Sequence, residues 1–156
     1  MADELRIIDN DITQYIVVAL GNEQYGIDIK YIDNIVRMQR ITRVPNVAAY
    51  IKGVINLRGE IVPIMNLRLK IGLEEIEYTK DTRIIIIKTE NYGKIGLIVD
   101  AVKEVVALEE DQLEKLPYDN TEENHFVSAV GKVDNTLVSV LDLGVVLYDK
   151  QSKEES

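Results

Sequence analysis

The apolar residues of this chain arrive in short runs, each closed by a glycine- or asparagine-containing pair. Tyr15–Leu20, Gln24–Asp28, Ile32–Met38, Ile51–Leu57 and Glu60–Met65 alternate or run continuously over too few residues for helices. Gly21-Asn22 and Arg58-Gly59 stand between consecutive runs as turn pairs. After a polar, acidic stretch at Leu73–Asp81 the pattern resumes. Arg83–Lys88, Lys94–Val99, Val102–Leu108, Phe126–Val133 and Thr136–Leu141 read as strands, with turns at Asn91–Gly93 and Asp134-Asn135. Short helices are expected at Val44–Tyr50, where Pro45 suits a first turn, at Asn66–Ile71, between a capping Asn66 and a terminating Gly72, and after the capping Asp142. Glu109–Asn124 reads as an acidic loop with one helical turn.

About ten short strands with evenly spaced turns point to an all-β chain of small barrels or a sandwich, plus short helices, and two small five-stranded barrels side by side would explain the length. The domain is expected over residues 12–149, with a first barrel at 14–72, a second at 82–141 and a C-terminal helix at 142–149. Residues 1–11 and 150–156 are expected to be flexible tails. A barrel of this size is marginal alone, so the pair should share a third core between them. The two halves are similar in style, but no strict sequence repeat is visible.

Composition narrows the chemistry. The 156 residues include one Phe and no Trp, so the core must be built from Ile, Val and Leu. The absence of Cys excludes disulfides, thiolate metal sites and cysteine nucleophiles. The first eleven residues carry acids where a secretory signal needs bases, and no apolar run approaches the roughly 18 residues of a membrane span. A cytoplasmic protein without direct membrane insertion is expected. The net charge of −9 disfavours nucleic acid. Between Arg37 and Lys70, however, seven bases face one acid, Glu60, which leaves the rest of the chain fifteen net negative. That island reads as a solvated surface or as a docking face for an acidic protein.

No catalytic constellation stands out. His125 is the only histidine, has no Cys partner and lies in a polar stretch, where a solvated side chain is the simpler reading. Glu109-Glu110-Asp111 suits the first turn of a helix better than a metal. Asp9-Asn10-Asp11 lacks the glycine and later glutamate of a calcium loop. No enzyme activity, cofactor or metal is expected. A small-barrel nucleic-acid binder using the basic island and a carboxylate-based hydrolase are the alternatives. One hairpin does break local rules. Gly53 and Pro63 interrupt its two strands, which marks a bulge or a close backbone approach. Arg58 at its turn is either a solvated arginine or a docking element, since arginine is enriched where interfaces concentrate their energy.

At this hairpin the sequence resembles a known family. Ile51-Lys-Gly-Val-Ile-Asn-Leu-Arg-Gly-Glu-Ile-Val-Pro-Ile64 closely resembles the signature segment of CheW chemotaxis coupling proteins. Leu20–Asp28 resembles that family's early hairpin, and Gly96–Asp100 followed by Val102 and Val105 resembles its second half. The similarity runs in order from about Gln14 to Tyr148. It implies two intertwined SH3-like barrels and a binding role without an active site. The same fold occurs as the regulatory domain of the CheA histidine kinase and at the front of CheV proteins; a chain of this length has no room for their other domains, so a free-standing adaptor is expected. The resemblance implies one surface for the CheA regulatory domain and a groove between the barrels for the cytoplasmic tip of a chemoreceptor, with recruitment to receptor arrays at the inner membrane. Arg58, Asn56 and Gly59 correspond to the functional turn. Ile32, Val36, Gly53, Gly96, Val102 and Val105 correspond to groove or near-groove positions, or else to core packing. Asn66 stands where many relatives carry Asp, which leaves open whether it caps a helix or makes an ionic contact.

Overall fold

The computed structural model describes residues 12–90, 93–116 and 126–147. Within them the chain forms β1 (Ile12–Leu20), β2 (Glu23–Asp28), β3 (Ile32–Arg37), β4 (Ile51–Leu57), β5 (Glu60–Asn66), α1 (Leu67–Lys70), β6 (Arg83–Thr89), β7 (Gly93–Val99), β8 (Ala101–Glu109), β9 (Leu113–Lys115), β10 (Val127–Val133), β11 (Thr136–Leu141) and α2 (Leu143–Val146). Turn chemistry accounts for the hairpins. Arg58 and Gly59 take φ of 53° and 87°, and Asp134 and Asn135 take 48° and 68°. Positive φ at both central residues is the primed turn whose twist matches the flanking strands. The helices follow their caps. Asn66 Oδ1 accepts from the Leu69 N–H at 3.1 Å and Asp142 Oδ1 from the Val145 N–H at 3.3 Å.

Two local expectations need correction. The helix expected at Val44–Tyr50 does not form. Asn46 takes φ 61°, which breaks a helical run, and Thr42 instead bridges Val54 on the open edge of β4. The Glu109–Asn124 stretch is not all loop, because Leu113–Lys115 pairs with β10 as β9. The rest of that stretch, His125, the turn residues Asn91 and Tyr92, the end of the expected 142–149 helix and both tails lie outside the described residues.

Two small barrels with a shared core form as expected, but the chain is not divided between them as expected. One sheet has the order β8-β1-β2-β11-β10-β9 and the other β3-β6-β7-β5-β4. The boundary expected between 72 and 82 therefore does not separate the sheets: β1 and β2 join strands of the second half, and β6 and β7 join strands of the first. Exchange β1–β5 for β6, β7, β8, β10 and β11, and one order becomes the other apart from the added edge strand β9. Even the parallel pairing repeats, β2 with β11 and β7 with β5. The burial pattern of β4 recurs residue for residue along β10. The molecule is thus two structural repeats that have traded their first hairpins.

This exchange explains three apolar cores. Tyr15, Val17, Val106, Leu108, Ala129, Val138 and Val140 fill the six-stranded sheet's own barrel. Ile55, Val62, Ile64, Ile84, Ile86 and Ile98 fill the five-stranded one. Val18, Leu20, Ile27, Ile85, Ile87, Leu97 and Val99, with Leu67, Leu143 and Val146 of the helices, form the core that both sheets share. Period-two alternation sends neighbouring residues to different cores, which is why Ile84-Ile85-Ile86-Ile87 is buried throughout. No helix among the described residues is long and apolar enough to cross a membrane.

Candidate partner-binding surface

Arg58 crowns the β4–β5 hairpin with a left-handed backbone and an exposed side chain. Asn56 holds the turn in shape: its Oδ1 accepts the Gly59 N–H at 3.0 Å. Gly59 supplies the second positive φ and has open space around it. Glu60, the one acid of the basic island, is drawn sideways to Lys94 Nζ at 3.2 Å, which also lies 3.6 Å from Asp33 Oδ2. Among the described residues Arg58 makes no ion pair, so its charge is presented outward. Ile61, directly opposite Asn56 in the hairpin, is 64% exposed. The turn therefore offers a cation beside an apolar side chain on a rigid ladder, a combination suited to protein contact.

The remaining anticipated residues fall into two groups. Gly53 and Gly96 are buried and shape the structure from beneath. A Cβ on Gly53 would lie 2.0 Å from the Thr42 carbonyl oxygen, and φ there is 140°, at the bulge between Ile51 and Gly53. A Cβ on Gly96 would lie 2.6 Å from Ile64 and 2.7 Å from Ile84. Pro63 costs no ladder bond, because parallel pairing with β7 begins one residue later at Ile64.

Ile32, Val102 and Val105 lie on open edge strands, β3 and β8, of opposite sheets. Ile32 and Val102 both pack against the shared core, as do Ile16, Ile35 and Ile95, all of them only partly buried. Val105 faces Ile16 across β1 and β8 and is 55% exposed. An apolar margin thus opens where the shared core meets solvent between the sheets. Val36 points the other way, into the barrel of the five-stranded sheet. Ile16, Ile35 and Ile95 were not among the anticipated residues. Alternation from Val18 would have pointed to Ile16, but the pairing of β1 with the distant β8 has no local signal. Among the described residues no three His, Cys, Asp or Glu side chains cluster to hold a metal ion. Asn66 acts as a helix cap, its amide reaching Glu75 at 3.5 Å.

Comparison with known proteins bears on the chain as a whole. The family model described as CheW-like domain matches residues 14–151. The chain is 35% identical over 142 residues to the chemotaxis protein CheW of Bacillus subtilis (strain 168), covering 90% of each chain. It is 32% identical over 141 residues to the chemotaxis protein CheW of Klebsiella aerogenes, covering 88% of this chain and 83% of that one. Its structure is similar to that of the scaffolding protein TtCheW from Thermoanaerobacter tengcongensis, with a TM-score of 0.80 and 34% identity over 88% of this chain and 94% of the other.

Proposed function

Because the chain belongs to the CheW-like domain family of chemotaxis scaffold proteins, we propose that it is a non-catalytic coupler between chemoreceptors and the CheA histidine kinase. It binds the kinase's regulatory domain on one surface and the cytoplasmic hairpin tip of a receptor along the apolar margin between the sheets. It works in the cytoplasm, recruited to receptor arrays at the inner membrane. The observation that carries this reading is the apolar margin of Ile32, Val102 and Val105, with Ile16, Ile35 and Ile95 behind it, on edges of opposite sheets. An amphipathic helix of a receptor tip can lay its apolar face along such a strip. Arg58, Asn56 and Gly59 form the second recognition element, and Gly53 and Gly96 hold both elements in place.

Coupling then needs no new chemistry. Holding kinase and receptor together raises their effective concentration for each other. A receptor change shifts the kinase only as far as the receptor's two states differ in their contacts with the assembly. Calorimetric titration with a receptor hairpin fragment, and separately with a CheA regulatory domain, tests the reading. Binding of both is expected, and Arg58→Ala should weaken one of them while leaving the fold intact. A folded protein that binds neither cognate partner would overturn it.

A further inference from the structure

One carboxylate ties the two sheets together on one side of the molecule. Asp100 sits where the chain leaves β7 of the five-stranded sheet and enters β8 of the six-stranded one. Its carboxylate accepts from Arg68 Nε at 2.8 Å and Nη2 at 2.7 Å, and from the Gly21 N–H at 2.7 Å. Arg68 belongs to α1, which follows β5, and Gly21 to the β1–β2 turn of the opposite sheet. A further Arg68 nitrogen, Nη1, donates to the Glu74 carbonyl at 3.0 Å. The side chains of Arg68 and Asp100 are 13% and 21% exposed. A two-pronged arginine–carboxylate contact fixes direction as well as distance.

The structural repeat supplies the control. α1 and α2 occupy equivalent places, each begun by a side-chain cap. Gly144 therefore stands where Arg68 stands, and it has no side chain to reach across. On that side a cleft of about 1040 Å³ lies between the sheets, lined among the described residues by Tyr15, Tyr31, Ile87 and Gly144. Among the described residues, the sheets are clamped on one side and face each other across this cleft on the other.

We infer that the Arg68–Asp100 pair is a positioning clamp that fixes the angle between the sheets, and with it the separation of β8 from β3 across the apolar margin. Val102 lies two residues beyond Asp100, so the clamp acts on the edge strand nearest the proposed receptor contact. The link to receptor binding rests on the function proposed above; the clamp itself does not.

Because the chain has no native Cys, spin labels placed at Glu104→Cys on β8 and Arg37→Cys on β3 report the separation directly by pulsed electron resonance. A narrow distance distribution is expected in the parent. Asp100→Asn keeps shape and loses charge, and Arg68→Lys keeps charge and loses the fork; both should broaden or shift the distribution while the circular dichroism spectrum stays native. An unchanged distribution in both variants overturns the clamp. In the unlabelled protein the same variants should weaken the receptor hairpin about tenfold, the scale of coupling between a positioning pair and a separate contact surface, and the CheA regulatory domain less than twofold. Equal weakening of both partners overturns the positioning role. If the parent binds neither partner the coupling function fails, and the distances alone decide the clamp.

Discussion

At the scale of single residues, the glycines of the two repeats carry sharp expectations. Gly53→Ala would force a Cβ against the Thr42 carbonyl at a φ that disfavours any side chain. It should destabilise by about 2–4 kcal/mol, read as a lower denaturant midpoint with unchanged slope. At Gly96 the neighbours are side-chain rather than backbone atoms, the Ile64 Cδ1 tip and the Ile84 Cγ2 branch methyl. Gly96→Ala should cost about 1–3 kcal/mol. Asp100 makes a pH prediction. Burial works against its charged form, but the Arg68 guanidinium and the Gly21 N–H outweigh that and hold its carboxyl below the usual carboxylate range. A depressed folded pKa contributes stability above the unfolded value of about 3.9 and loses it as pH falls through the folded one. Asp100→Asn should therefore lie about 1.5–3 kcal/mol below the parent at pH 7. In a pH series of melts the gap should narrow below about pH 4. A gap constant from pH 7 to 3 would contradict the electrostatic account.

At the scale of elements, the hairpins and caps were legible in the sequence and the long-range pairings were not. Gly59, Asp134 and Asn135 are residue types that favour the positive φ of a primed turn, whereas that of Arg58 is imposed by the hairpin; Asn66 and Asp142 announce their helices. Val44–Tyr50 misled because Pro45 suits a helix start, whereas the Asn46 conformation that breaks it depends on how Thr42 meets β4. β9 was missed because its three residues acquire strand character only from β10. The Arg58 turn was visible as a rule-breaking hairpin, with a solvated arginine and a docking element both open from its chemistry, and the family resemblance favoured the docking element. The apolar margin was legible only in part, since whether Val105 faces solvent or core depends on which strand lies beside β8. Arg58→Ala removes no packed atom, so its stability should stay within about 0.5 kcal/mol of the parent while it weakens a partner. Val105→Glu should likewise leave the melting temperature nearly unchanged and abolish receptor-fragment binding. Loss of fold in that variant would place Val105 in the core instead.

At the scale of the whole molecule, the traded hairpins make the two repeats inseparable. The shared core was expected from size alone, because a barrel of this length is marginal by itself. The exchange that creates it has no signature in local sequence. It predicts that residues 1–81 and 82–156, made as separate fragments, each lack a folded spectrum. Mixed, they should recover native circular dichroism, since each sheet needs strands of both. A fragment that melts cooperatively alone would contradict this. Under the proposed function, docking of one partner would reach the other through this common core rather than through a linker.

In the proposed function, one such molecule holds two partners at once. Sequential calorimetric titration, first with the CheA regulatory domain to saturation and then with a receptor hairpin fragment, measures that directly. The receptor fragment is expected to bind the saturated complex and form a ternary assembly. Binding of either partner only in the absence of the other would contradict it.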